Sequence, residues 1–181
     1  MSDPVQFEAF VRAYQDMVFS TAMRLLGNDA EAQDIAQEAF LRAWNHFADL
    51  SGSPTAGGWL KTVTRNLCLN HLQRHRARWK VFSDLTREDD EGSERELEIA
   101  APDTLEDTLL TADQRELVER SLARLPDDQR VSLLLYHFED MDYAEIATHL
   151  KVSLGKVKTD IFRARETLRK RLQPARESVG V

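Results

Sequence analysis

Seven basic side chains crowd one short stretch of this chain: Lys156, Lys158, Arg163, Arg165, Arg169, Lys170 and Arg171, opposed only by Asp160 and Glu166. On one helix such cations neutralise phosphate, and those near its start can donate to the acceptor edges of bases in a major groove. A second basic stretch, Lys61–Lys80, holds six Lys/Arg together with His71 and His75, and no acid. There Lys61 and Arg65 supply charge, while Asn66 and Asn70 carry amides that can hydrogen-bond the edges of unstacked bases. A third group has the opposite character. Asp34, Gln37, Glu38 and Arg42 recur at helical spacing, so a helix lines them up as an acidic and amide ridge that can meet a basic partner helix or simply solvate its own face. No group offers catalysis. Asp34 and Glu38 have no His or Cys partner at ligand spacing, so catalytic residues, metal and cofactor are all expected to be absent.

The elements that must position these groups are helices, and no strand-like alternation is sustained anywhere. Phe7, Phe10, Val11, Tyr14, Val18, Met23 and Leu26 predict a helix over Pro4–Leu26, stopped by Gly27-Asn28. Asp29–Phe47 follows, with Ile35, Ala39, Phe40, Ala43, Trp44 and Phe47 along one face. Ala48–Gly58 reads as a Gly/Ser/Pro loop. Trp59–Trp79 is a third helix with Leu60, Val63, Leu67 and Leu72 inward. Trp59, at its start, is expected to pack in the core. Leu117, Val118, Leu122 and Leu125 mark a further helix ended before Pro126, and Asp127–Phe138 the next. Asp142–Leu150 then sets Ile146, Ala147 and Leu150 on one face. Lys151-Val-Ser153 breaks the pattern, Ser153 is suited to cap the basic helix from Leu154, and Val152 and Val157 can close a core beneath the turn. Asp142–Leu172 is a helix-turn-helix.

Charge is unevenly spread along the 181 residues. Residues 1–80 hold nine Lys/Arg against eight Asp/Glu, net +1, and residues 114–181 thirteen against eleven, net +2. Residues 81–113 hold two against twelve, net −10, and so carry all the excess acid in a chain of net charge −7. The expected fold is all-α: small helical domains at 1–80 and 103–181, joined by a flexible acidic linker at 81–102. Cys68, the single cysteine, excludes an internal disulfide, and Leu67 and Leu69 beside it predict an ordinary buried thiol. No apolar run approaches a membrane span and no signal pattern opens the chain, so a cytoplasmic protein is expected.

Three blocks, in order, resemble the extracytoplasmic-function group of the sigma-70 family. Asp29–Trp44 is similar to its polymerase-binding helix, and Trp59–Asn66 to the helix that melts the promoter and reads the −10 element. Leu125–Arg130, Asp142–Leu150 and Gly155–Arg165 are similar to its −35-reading domain. The resemblance spans nearly the whole chain. It implies an alternative sigma factor that binds core RNA polymerase and promoter DNA, with an anti-sigma factor as the usual further partner. It assigns Asp34, Gln37, Glu38 and Arg42 to the coiled coil of the polymerase largest subunit, and Lys61, Arg65, Asn66 and Asn70 to the −10 region. The loop before Trp59 would capture a flipped base. Lys156, Lys158, Thr159, Phe162 and Arg163 fall on the −35-reading positions. Asp160 departs from the pattern, because many relatives carry a base there. It can repel phosphate, accept from cytosine, or pair with Lys156. A helix-turn-helix regulator that binds DNA without polymerase would share the C-terminal part but leaves the first 80 residues unexplained.

Overall fold

The structure, a computed structural model, describes residues 3–83 and 111–177, with side chains for 3–75 and 111–173. Regular structure among these is helical throughout, in two compact units. The first unit carries α1 (Pro4–Leu26), α2 (Asp29–Asn45), the short α3 (Phe47–Leu50) and α4 (Ala56–Ser83). The second carries α5 (Ala112–Ala123), α6 (Asp127–His137), α7 (Tyr143–Leu150) and α8 (Leu154–Glu177). α4 continues through Ser83. Residues 84–102, the rest of the expected acidic linker, and the expected start near Asp103 lie outside the described residues.

In the first unit α1 packs on α2 and α4, and α2 on α4. Asp3 caps α1 by accepting from the Val5 amide, and Gly27, at φ +66°, ends it in the left-handed conformation that glycine adopts without steric penalty. Asn28 then caps α2 through the Glu31 amide. Ala32, Ala39 and Ala43 are fully buried, so α2 meets its neighbours through small side chains at close range, with Ile35 filling between them. Leu25, Leu60 and Val18 complete this core, each fully buried aliphatic side chain contributing about 1.5–3 kcal/mol. At the other end Phe7 sets its ring edge-on to Trp44 and Phe47, at 4.8 and 5.1 Å between centroids, tying α1 to the α2–α3 joint.

The helices of the first unit depart from the sequence expectation in three places, each for a local reason. α2 stops at Asn45 because His46 leaves helical geometry, and the chain restarts as α3 with Phe47 and Leu50 buried. The expected loop Ala48–Gly58 shrinks to Ser51–Thr55, and Gly57 and Gly58 belong to the first turn of α4. A Cβ on Gly57 would lie 3.0 Å from Tyr14 Cε1, so that glycine marks close helix packing rather than a loop. The inward face of α4 is also rotated. Leu60, Thr64, Leu67, Cys68 and Leu69 are buried, whereas Val63 and Leu72 are only half-buried. Thr64 is tolerated because its hydroxyl donates to the Leu60 carbonyl at 2.8 Å. Cys68 is buried, as expected of a packing thiol.

In the second unit α8 is the element on which α5, α6 and α7 all pack. Its buried stripe of Val157, Ile161, Ala164 and Leu168 meets Val131, Leu134, Leu135, Ile146 and Leu150 in the core of the unit. α5 ends at Ala123, two residues earlier than its apolar spacing suggests. Leu125 is buried just beyond it, before Pro126. Arg130, 3% exposed, holds Asp127 at 2.9 Å and donates to the Leu125 carbonyl, fastening the start of α6 to that turn.

Candidate nucleic-acid and partner interfaces

The helix-turn-helix is built by its caps. Asp142 and Glu145 form a reciprocal capping box at the start of α7, with bonds of 2.8 and 2.9 Å. Lys151 ends α7 at φ +55°, and its amide and that of Val152 turn back onto α7 carbonyls. Ser153 Oγ then accepts from the Lys156 amide at 3.1 Å and starts α8. This is the turn that the sequence placed at Lys151–Ser153. Val157 is buried beneath it, while Val152 and Ala147 are half-buried.

α8 sorts its basic residues into two groups. Lys158 and Arg163 are exposed, with no ion pair to any other described residue, and Thr159 and Phe162 lie half-buried between them. These four share the side opposite Val157, Ile161 and Ala164. Lys156 behaves differently. Its Nζ lies 2.7 Å from Asp160 and 3.1 Å from Asp128, so it braces the N-terminal turn of α6 against α8. Asp160, 7% exposed, therefore faces Lys156 inside the unit and neither opposes phosphate nor reaches for cytosine. Arg165 and Arg171 also make contacts within the unit. Arg171 donates to the Ser121 carbonyl at 3.1 Å. The Arg165 guanidinium stands 5.4 Å from the Tyr136 ring centroid and its Nη2 lies 3.1 Å from His137 Nε2. A guanidinium only donates, so His137 Nε2 must accept and the ring is neutral. Burial first, and the Arg165 charge second, lower the His137 pKa from 6.5.

On α4 the stripe Thr62, Asn66 and Asn70 is exposed at i, i+4 spacing, with Lys61 and Arg65 half-buried beside it. The structure thus brings together all four expected residues and adds Thr62, whose hydroxyl carries neither the charge nor the amide that marks the others in the sequence. Arg74 is exposed further along, and the side chains of residues 76–80 lie outside the described set. The loop before α4 is closed on itself. Ser53 Oγ and Thr55 Oγ1 are 2.9 Å apart, and the Ser53 amide donates to Leu50. Trp59 is half-buried with its ring 5.5 Å from that of His46, so it packs over the α2–α3 joint instead of in the core.

On α2, Asp34, Gln37 and Arg42 are exposed and Glu38 half-buried; Asp34 and Gln37 lie opposite the buried stripe of Ile35, Ala39 and Ala43, and Glu38 and Arg42 run along its edge. Arg42 Nε donates to Glu38 Oε1 at 3.0 Å, an exposed pair of small energetic value on its own. Among them stands Leu41, 61% exposed, three residues after Glu38. The ridge is therefore acidic with an apolar centre, the make-up of an interface anchor and its polar rim. Spacing from Glu38 would have found Leu41.

Residues 10–78 match sigma-70 region 2 and residues 115–168 match sigma-70 region 4. The RNA polymerase sigma-H factor of Pseudomonas aeruginosa is 34% identical over 172 residues, covering 95% of this chain and 89% of its own length. The ECF RNA polymerase sigma factor SigW of Bacillus subtilis is 30% identical over 172 residues, 94% of this chain and 91% of SigW. Among solved structures, the sigma factor RpoE of Bartonella quintana, crystallised with the anti-sigma factor NepR, is 21% identical, covers 92% of this chain and 96% of its own, and has a TM-score of 0.48.

Proposed function

The chain belongs to the extracytoplasmic-function group of the sigma-70 family, and we propose how its surfaces divide the work of a sigma factor that binds core RNA polymerase and directs initiation at chosen promoters. The α2 ridge of Asp34, Gln37, Glu38 and Arg42, centred on Leu41, docks on the basic coiled coil of the polymerase largest subunit. The α4 stripe of Asn66 and Asn70, flanked by Lys61 and Arg65, receives the −10 region, with the loop Ser51–Thr55 beside it for an unstacked base. Lys158, Thr159, Phe162 and Arg163 read the −35 element, and Lys156 holds their helix in place. The domain division is 1–80 and 103–181, with 81–102 as the acidic connection. No residue of the chain is catalytic, since the chemistry belongs to the polymerase, and its place of work is the cytoplasm. An anti-sigma factor that covers these faces is the proposed regulator.

The observation that supports this reading is the presence of two surfaces rich in cations, amides and hydroxyls and of one acidic surface with an exposed leucine, each beside a buried stripe. The test is direct binding to core polymerase. Because one exposed charge pair is worth under about 1 kcal/mol, the double reversal Asp34→Lys/Glu38→Lys is the informative variant. It should bind core polymerase more weakly while keeping its helical content. Unchanged affinity would remove this face from the reading.

A further inference from the structure

We propose that Glu31, His71 and His75 form a binding site for a divalent transition-metal ion, with Zn²⁺ the best chemical fit. The two histidines stand four residues apart on α4, which places both rings on one side of the helix. Their centroids are 5.4 Å apart. Glu31, in the first turn of α2, faces them. One of its carboxylate oxygens lies 3.3 Å from His71 Nε2 and the other 3.5 Å from His75 Nε2. One candidate ligand atom from each residue lies within 4.8 Å of the others, the one such group of three among the described residues.

These distances suit a shared ion. Ligand atoms held at 2.0–2.1 Å in a tetrahedral shell are separated by about 3.4 Å, and each histidine Nε2 already lies 3.3–3.5 Å from one of the two Glu31 oxygens. With one ligand atom from each residue the group spans at most 4.8 Å, so a small contraction of side chains would bring all three to shell spacing. His71 Nε2 gives a second indication. The atom is shut off from solvent and makes no hydrogen bond, its contact with Glu31 being too poorly aligned for one. A buried imidazole nitrogen without a hydrogen bond is costly unless something accepts its lone pair. A cation between the three groups would do so and also neutralise the carboxylate. The donor set of two imidazoles and a carboxylate suits Zn²⁺, Co²⁺, Ni²⁺ or Cu²⁺ and disfavours Mg²⁺ and Ca²⁺, which take oxygen ligands. Three protein ligands leave a fourth position for water, and the half-exposed His75 gives it access.

The site joins the start of α2, three residues before Asp34, to the turn of α4 that follows Asn70. A bound ion would therefore fix the relative placement of the two helices that carry the proposed polymerase and −10 faces. This inference does not rest on those roles, since metal binding is measured without polymerase or DNA.

The experiment uses tag-free full-length protein stripped with a chelator, titrated with ZnCl₂ against a chromophoric competitor, and with CoCl₂ followed by its visible ligand-field bands. Wild type should take up a single equivalent, show the intense bands of low-symmetry tetrahedral Co²⁺, and melt at a higher temperature with Zn²⁺ than without. Losing even an outer-shell partner costs a metal site about 10–100-fold in affinity, so Glu31→Gln and His71→Ala should each lose at least that much. His75→Gln, at a half-exposed position that the fold does not depend on, should do the same while keeping the helical circular dichroism of wild type. Absence of saturable Zn²⁺ uptake, or uptake unchanged in His71→Ala/His75→Ala, would overturn the proposal.

Discussion

At the scale of single residues, the structure separates cations that hold α8 from cations free to meet DNA. Arg163→Ala and Lys158→Ala should each lower transcription from a cognate promoter while leaving the melting temperature unchanged. If either side chain reads a base, about 1–3 kcal/mol of discrimination should vanish at one promoter position. A loss spread evenly over sequences, with a shallower salt dependence, would instead assign phosphate contact. Lys156→Ala should act differently, because it leaves the buried Asp160 carboxylate without its cation. The second unit should lose about 1–3 kcal/mol in a denaturant titration, a cost that Lys156→Arg should partly restore. His137 makes stability depend on pH. Its folded pKa lies below its unfolded value of 6.5, so on acidification the unfolded chain takes up the proton first. The stabilisation is fully present above 6.5 and is lost as pH falls below that value toward the lowered folded pKa. His137→Gln should therefore show a flatter pH–stability profile across that window than wild type, with the difference read from denaturation midpoints.

At the scale of elements, much of the architecture was legible because it rests on local signals. The Gly27-Asn28 stop, the Asp142 and Ser153 caps and the basic start of α8 are all written in residue type and spacing. Less legible were features set by a neighbour. Gly57 looks like a loop residue until Tyr14 is placed against it, and Thr64 looks outward-facing until its hydroxyl finds the Leu60 carbonyl. The sorting of Lys156 from Lys158 was half legible, because the i,i+4 pair with Asp160 is written in spacing whereas Asp128 comes from another helix. The grouping of Glu31 with His71 and His75 was hidden, because Glu31 lies on α2 and the two histidines on α4. The turn of the helix-turn-helix carries one local conflict, Lys151 at φ +55° where glycine is the usual choice. A left-handed L-residue costs about 1–2 kcal/mol, partly offset by the greater unfolded-state freedom of glycine. Lys151→Gly should thus stabilise the second unit by about 0.5–1 kcal/mol, measured by chemical denaturation.

At the scale of the whole molecule, charge distribution governs what the chain can do alone. Residues 81–113 hold the entire negative excess, and each proposed nucleic-acid face alone would contact few phosphates, so the free protein should bind promoter DNA weakly. Tight, sequence-specific binding by the isolated chain at physiological salt would favour a regulator that needs no polymerase. Activity therefore rests on two units acting together on a larger machine, one bearing the α2 and α4 faces and the other the helix-turn-helix. The most direct measurement is run-off transcription with purified core polymerase on templates carrying candidate promoters, with and without this chain. Core polymerase alone should yield no promoter-specific transcript, and addition of the chain should produce one. Asp34→Lys/Glu38→Lys and Arg163→Ala should each reduce it, the first through loss of polymerase binding and the second with polymerase binding intact. A promoter-specific transcript of equal yield with and without the chain, or wild-type yield from both variants, would contradict the account.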